Sequence, residues 1–191
     1  APLVFKGQVI GAIEAVNKSH DKQFSQDDVE MLATLAADGT SCWADAGLNT
    51  TNPWTVKLVL DSLRYWVEEM HVDGFRFDLA SVLSRDTDGH AIANPPVVWD
   101  IESDPVLAGS RLIAEAWDAA GLYQVGHFVG DAWKEWNGRF RDDVRAFLRG
   151  DRGSVSAFAN RLLGSPDLYE EKKREPEQSV NFVTCHDGFT L

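Results

Sequence analysis

The chain has 191 residues, of which 44% are hydrophobic and 25% are charged, an ordinary composition for a globular protein with one core or slightly more. Its formal net charge of −12 argues against nucleic acid, which needs a basic protein face, and against an anionic membrane surface. No apolar run approaches the roughly 18 residues of a membrane span. We therefore expect neither nucleic acid nor a membrane as a partner.

The cysteines and the N-terminus bear on location. Cys42 and Cys185 are far apart and form no CxxC motif, which favours two reduced thiols in a cytoplasmic protein over a disulfide. The N-terminus lacks the basic and apolar zones of a signal peptide and begins without Met. We expect a cytoplasmic location, and we expect the chain to be a fragment or a processed piece.

The first predicted elements are a hairpin and a helix. Apolar runs at 3–5 and 9–16 are separated by Lys6-Gly7-Gln8, which indicates a hairpin turn. A helix is then predicted after Ser25 as N-cap, with one apolar face made of Val29, Leu32, Leu35 and Ala36. Residues 2–37 resemble the last third of a GAF domain, a small ligand-sensing module.

Residues 38–46 show no periodicity, and we interpret them as a junction before a second domain over 47–191. That domain opens with a helix capped by Asn52, with Pro53 at its first position. Its apolar face is predicted to contain Val56, Val59, Leu60, Leu63, Trp66, Val67 and Met70. Arg64 and Glu68 are predicted to pair on its polar side.

The rest of the chain alternates strands and helices. Residues 84–100 are predicted as a loop, followed by a short helix that begins at Asp104. The predicted strands are 72–78, 111–117, 133–138 and 179–187, and the later predicted helices are 139–149 and 153–163. This alternation indicates an α/β fold with parallel strands. Four strands are half of a closed barrel; a doubly wound sheet is the alternative, although its Gly-rich dinucleotide turn is missing.

Three of these strands end in acidic residues, Asp78, Glu115 and Asp187. Two carboxylates can cleave a glycosidic bond, one as nucleophile and one as acid and base, at about 5–5.5 Å in retaining enzymes. Adjacent strands lie about 4.8 Å apart, so neighbouring strand ends suit such a pair. Arg76 shares a strand face with Asp78 and would support its ionised form. Glu115 lies among apolar residues, a setting that suits a general acid.

Each of these residues also has a structural interpretation, such as a helix cap or a loop turn, but three segments together narrow the choice. These segments, 72–78, 114–118 and 185–187, look like three sequence regions of the α-amylase superfamily. The surrounding motifs at 48–53, 62–66, 135–143 and 186–191 resemble isoamylase-type glycogen and starch debranching enzymes. The resemblance covers residues 47–191 and implies a partial (β/α)8 TIM barrel.

The resemblance implies roles for six residues. The catalytic carboxylates would be Asp78 as nucleophile, Glu115 as general acid/base and Asp187 as the carboxylate that binds sugar hydroxyls. The substrate-binding residues would be Arg76, His186 and Trp117. The substrate would be an α-glucan such as glycogen, starch or limit dextrin, cleaved at α-1,6 branches with retention. The five histidines show no close metal spacing, and neither a metal nor a cofactor is expected.

Two alternatives remain. One is an α-glucanotransferase of the same superfamily, and the other is a non-catalytic fragment or a fused sensor and enzyme remnant. The chain also departs from the family, because the first three barrel strands and the last one are absent, and Ala116 stands where many relatives have Pro. Half a barrel leaves open sheet edges, so we expect low turnover from these 191 residues alone.

Overall fold

The structure is a computed structural model that describes residues 2–5, 8–12, 49–170 and 174–185. The predicted helix after Ser25, the domain boundaries between 37 and 47, and the candidate residues His186 and Asp187 lie outside the described residues. The chain divides into two compact units, Ala1–His71 with Leu83–Leu107, and Val72–Val82 with Ala108–Leu191.

The described residues of the first unit include a hairpin and the helices Pro53–Glu68 and Pro96–Ser103. Strands β1 (Pro2–Phe5) and β2 (Gln8–Ala12) pair antiparallel, which confirms the predicted hairpin. Helix α1 (Pro53–Glu68) begins as predicted, because the Asn52 side chain accepts a hydrogen bond of 2.8 Å from the amide of Trp54. No helix in the described part of the chain is long and apolar enough to cross a membrane.

The polar and apolar sides of α1 differ from the prediction. Leu63 is buried, whereas Trp66 and Met70, which were expected on the same buried face, are exposed. Arg64 does not take Glu68 as its main partner.

The Arg64 guanidinium contacts the buried Asp104 carboxylate at 2.5 Å and the exposed Asp61 at 3.1 Å. A neighbouring cation stabilises the negative charge of a buried carboxylate more than that of an exposed one. Burial acts to raise the pKa of Asp104, but Arg64 and the amides of Val106 and Leu107 outweigh it, so this pKa is lowered.

The segment 84–100, predicted as a loop, contains no helix over 85–95 but is helical at both of its ends. A 3₁₀ helix covers Ala80–Ser84 and helix α2 covers Pro96–Ser103. Proline is accepted at the start of a helix because its missing N–H has no helical partner there. Asp104, where the sequence predicted a helix start, instead ends α2 in an extended conformation with ψ of 125°, as expected for a residue that precedes proline.

The second unit is built on a parallel sheet. Its strands are β3 (Gly74–Phe77), β4 (Arg111–Ala114), β5 (Trp133–Trp136) and β6 (Ser179–Val180), in that order. All three pairings are parallel, which confirms the α/β class and the four predicted strands. The strands are shorter than predicted, and 181–185, expected to continue the last one, carry no strand.

The connections confirm part of the predicted alternation. The segment 115–132, between β4 and β5, contains turns and one bridge but no helix, so the expected helix is absent there. After β5 come the two predicted helices, α3 (Gly138–Arg149) and α4 (Ser154–Leu162). Gly150 ends α3 in the left-handed conformation with φ of 82°. A short helix, α5 (Pro166–Tyr169), was not predicted.

The two faces of this sheet have different chemistry. On one face Phe77 packs against Trp133 with ring centroids 4.9 Å apart, and Phe128 lies 5.3 Å from the same Trp133. Trp133 is fully buried. Since alternate side chains point to opposite faces, Arg76 and Trp136 lie on the other face. The aromatic residues on the first face pack together, and Arg76 lies on the second face.

Candidate active site

The strand register brings Asp78 and Glu115 to the same edge of the sheet. Phe77 is paired with Ala114 across β3 and β4. Asp78 and Glu115 each follow directly, so both leave the sheet at its carboxyl edge. This is the edge at which barrel enzymes and open α/β sheets place their catalytic residues.

A single guanidinium contacts both carboxylates. Arg76 Nη1 lies 2.8 Å from Asp78 Oδ1, and Arg76 Nη2 lies 3.0 Å from Glu115 Oε1. The Asp78 side chain is 60% exposed and the Glu115 side chain 3% exposed. The structure therefore brings together three of the predicted site residues, and it gives Arg76 a second partner that the sequence did not predict.

The surroundings of Glu115 are polar at its oxygens and apolar elsewhere. The amide of Leu79 donates a hydrogen bond of 2.9 Å to Glu115 Oε2. The flanking Ala114 and Ala116 are fully buried. The apolar residues expected from the sequence flank Glu115, but its two oxygens have polar partners. Arg76 contacts Oε1 and the Leu79 amide contacts Oε2.

Leu79 adopts an unusual backbone conformation. Its φ is +44°, in the left-handed region that a branched side chain rarely enters, at a cost of about 1–3 kcal/mol. This turn directs the Leu79 amide to the Glu115 side chain, while the amide of Ala80 donates to the Glu115 carbonyl at 2.9 Å. The sequence carries no sign of this conformation, since a glycine is the usual signal.

Two aromatic rings lie behind the Arg76 guanidinium. Arg76 Cζ is 4.1 Å from the centroid of the Trp136 ring. The Trp136 ring is 4.4 Å from that of Phe182, at an interplanar angle of 33°. Sequence reasoning missed Trp136, although the alternation of β5, with Trp133 and Glu135 on the buried face, could have placed it on the Arg76 face.

Trp117 lies two residues beyond Glu115 and lines a cleft. Its ring stacks on that of Tyr123, with centroids 6.0 Å apart and planes at 11°. Burial raises the pKa of the Tyr123 hydroxyl. The cleft has a volume of about 210 Å³, and its remaining lining includes Gly138, Arg141 and Asp142. Trp117 therefore lines an open cleft.

Strand β5 also carries a fully buried carboxyl group, on the face opposite Trp136. Glu135 accepts hydrogen bonds from the amides of Gly126 (2.5 Å) and Phe128 (3.0 Å), and Arg174 lies 3.2 Å away. Burial raises the pKa of Glu135, against the opposing effect of Arg174 and the two amides. The sequence motif containing Glu135 did not reveal these contacts.

Asn137 joins β5 to its neighbours. Its side-chain oxygen accepts a hydrogen bond of 2.9 Å from the amide of Phe140, which caps α3. Its Nδ2 donates to Ser165 Oγ at 2.9 Å and to Ser179 Oγ at 3.1 Å. One buried amide therefore fixes the end of β5, the start of α3 and the start of β6.

The part of the chain that the structure describes contains one cluster with metal-ligand spacing, Asp86, Asp88 and His90. This cluster lies in the first unit, apart from the candidate catalytic residues in sequence. Asp86 Oδ1 already accepts the amides of Asp88 and His90, at 3.0 Å and 2.8 Å. These three side chains could hold a cation, but they contribute nothing to the carboxylate pair.

About three quarters of the chain aligns with isoamylases and their relatives. It is 54% identical over 145 residues to Isoamylase 3, chloroplastic, of Oryza sativa subsp. japonica, which covers 75% of this chain and 18% of that protein. The chain is related in sequence to the isoamylases. It is also 54% identical over 146 residues to a glycogen operon protein GlgX homolog of Mycobacterium tuberculosis, an alignment that covers 75% of this chain and 20% of that protein. It is 50% identical over 163 residues to Isoamylase 1, chloroplastic, of Arabidopsis thaliana, which covers 75% of this chain and 21% of that protein.

This similarity confirms the predicted relation to debranching enzymes of the amylase family. The chain spans about a fifth of the length of the curated relatives it matches. No protein-family model matches the chain. The predicted likeness of residues 2–37 to a GAF domain stays a prediction.

The fold has a solved counterpart. The crystal structure of a pullulanase complexed with maltotriose from Anoxybacillus sp. LM18-11 superposes with a TM-score of 0.56 and 30% sequence identity, over 78% of this chain and 22% of that chain. Together with the four parallel strands, this likeness confirms the predicted partial (β/α)8 barrel.

Proposed function

We propose that the chain carries the catalytic carboxylates of an α-glucan debranching hydrolase, which cleaves α-1,6 branches of glycogen or starch with retention. The observation that carries this proposal is the single guanidinium of Arg76, at 2.8 Å from Asp78 and 3.0 Å from Glu115, at adjacent strand ends. Neighbouring parallel strands provide the carboxylate spacing that retention requires. The similarity to isoamylases and to a pullulanase complexed with maltotriose supports the same substrate class.

In this mechanism the exposed Asp78 is the nucleophile. Its carboxylate attacks the anomeric carbon, and the C–O bond to the leaving sugar breaks as Glu115 donates a proton to the leaving oxygen. Glu115 then takes a proton from water, whose oxygen displaces the Asp78 carboxylate from the sugar. The exposure of Asp78 suits a group that must reach substrate, and the burial of Glu115 suits a group that exchanges one proton.

The other predicted residues complete the proposal. Asp187 would bind sugar hydroxyls and stabilise the oxocarbenium-like transition state, and His186 would contact the sugar. Trp117 would stack on a sugar ring in the cleft that it forms with Tyr123, where ring faces offer a flat apolar surface. The proposal also includes a barrel domain over 47–191, a GAF-like segment over 2–37 and a cytoplasmic location.

The test is the release of reducing ends from glycogen. Asp78→Asn and Glu115→Gln should each reduce this release by at least about a thousandfold, since each removes a group that acts in the transition state. Asp100→Asn, which changes an exposed carboxylate on α2, is the matched control and should leave the rate unchanged. Full activity in either site variant contradicts the assignment.

Two further measurements address the alternatives. Chromatography of the products distinguishes a hydrolase, which releases linear chains, from a glucanotransferase, which makes new linkages. If the wild-type chain releases no reducing ends, and maltotriose does not raise its melting temperature, the non-catalytic alternative is favoured. A sharp thermal transition with glucan-induced stabilisation argues against it.

A further inference from the structure

The guanidinium of Arg76 is incompletely fixed by hydrogen bonds. Within the described residues, its Nε and Nη2 are buried and form no hydrogen bond. Nη1 donates a hydrogen bond to Asp78, whereas Nη2 makes only an ion-pair contact with Glu115. Contacts at one end of a guanidinium leave it free to tilt about the line between the two carboxylates.

The face of the Trp136 ring supplies the missing constraint. Arg76 Cζ stands 4.1 Å from the ring centroid, within the range in which a cation is attracted to the face of an aromatic ring. Trp gives the strongest such attraction of the aromatic side chains. A guanidinium at this distance cannot withdraw from the ring without losing that attraction.

Trp136 is itself held in place. Its ring is 4.4 Å from that of Phe182, and Arg141 Cζ lies 5.6 Å from the other ring of this pair. Arg145 Nε donates to the carbonyl of Val183 at 2.8 Å, which ties the same segment to α3. A stack of four groups therefore begins at the carboxylate pair. It contains, in order, the Arg76 guanidinium, the Trp136 indole, the Phe182 ring and the Arg141 guanidinium.

We propose that Trp136 is a positioning residue, whose ring face holds the Arg76 guanidinium across Asp78 and Glu115. Its catalytic consequence rests on the proposed function, whereas its effect on Arg76 does not. In this role Trp136 acts through Arg76, whose guanidinium lies over its ring. Substitutions at Trp136 should therefore lower kcat and leave KM nearly unchanged, since the substrate is bound by other groups.

The experiment compares Trp136→Leu, which removes the aromatic face but keeps an apolar side chain, with Trp136→Phe, which keeps a smaller face. Trp99→Leu, at a half-exposed position on α2, is the control. NMR of the whole chain should show Arg76 side-chain protons shifted upfield by the Trp136 ring. This shift should persist in part in Trp136→Phe, vanish in Trp136→Leu and be unchanged in Trp99→Leu. The NMR signal of the Glu115 carboxyl carbon should change only in the two Trp136 variants.

In the reducing-end assay, Trp136→Leu should lower kcat about tenfold, with KM within about twofold of wild type, and Trp136→Phe should recover most of the loss. Equal kcat values in Trp136→Leu and wild type, or an equal loss in both Trp136 variants, overturn the positioning role. Unshifted Arg76 protons in the wild type also overturn it. If the wild type has no turnover, the proposed function fails, and the Arg76 and Glu115 signals alone decide the inference.

Discussion

Replacing Arg76 with Met removes one cation from two carboxylates of very different exposure. The Glu115 side chain is 3% exposed, whereas that of Asp78 is 60% exposed. A buried carboxyl group that loses a neighbouring guanidinium has little access to water, and an exposed one is resolvated at once. We therefore expect nearly all of the stability cost of Arg76→Met to come from Glu115.

The magnitude follows from these environments. Leaving a buried polar group without one of its partners costs about 1–3 kcal/mol. Glu115 retains the hydrogen bond from the Leu79 amide, so we expect Arg76→Met to lower the free energy of unfolding by about 1–3 kcal/mol. The exposed contact with Asp78 should contribute about 0.2–1 kcal/mol.

Double-mutant cycles separate the two contacts. Urea unfolding at neutral pH, followed by circular dichroism, should give a coupling energy of about 2 kcal/mol between Arg76→Met and Glu115→Gln. The coupling between Arg76→Met and Asp78→Asn should stay below about 1 kcal/mol. Equal couplings in the two cycles, or a larger one with Asp78, would refute the reasoning from burial.

Two other predictions concern strand β5. Asn137→Ala should destabilise the chain by about 2–4 kcal/mol, because it removes the α3 cap and the hydrogen bonds to Ser165 and Ser179. Asn137→Ser restores only the cap and should recover about 1 kcal/mol of the free energy of unfolding in urea. Wild-type stability in both variants would contradict this prediction. Burial raises the pKa of Glu135, so the folded state binds an extra proton above the ordinary Glu pKa, and wild-type stability should fall relative to Glu135→Gln as the pH rises through that range. Unfolding measured over a pH series checks this slope, and parallel curves for the two proteins would show that Glu135 is not responsible.

Elements with local signals were predicted well from the sequence. Asn52 and Pro53 located the start of α1, and Gly150 located the end of α3, because caps act within a few residues of the chain. Alternation within the strand containing Arg76 and Asp78 placed these two side chains together. Such features depend on neighbours in sequence, which the sequence shows directly.

Features that depend on distant residues were missed. The sequence predicts a loop where helix α2 begins, because two prolines stand there. The second of them, Pro96, is in fact the first residue of the helix. The pairing of Arg64 with Asp104 joins residues 40 positions apart, and no local pattern favours it over the nearby Glu68. The contact between Trp136 and Arg76 requires the order of strands in the sheet, which motif spacing does not contain.

The shared contacts of Arg76 have a consequence for the energy of the reaction itself. In the proposed two-step mechanism, the negative charge is on Asp78 before the bond breaks and on Glu115 afterwards. In water, such a migration of charge requires the solvent dipoles to turn. Here the compensating cation contacts both positions from the start, at 2.8 Å and 3.0 Å. Arg76 can compensate the negative charge at either position from where it already lies, which lowers the reorganisation energy of both steps.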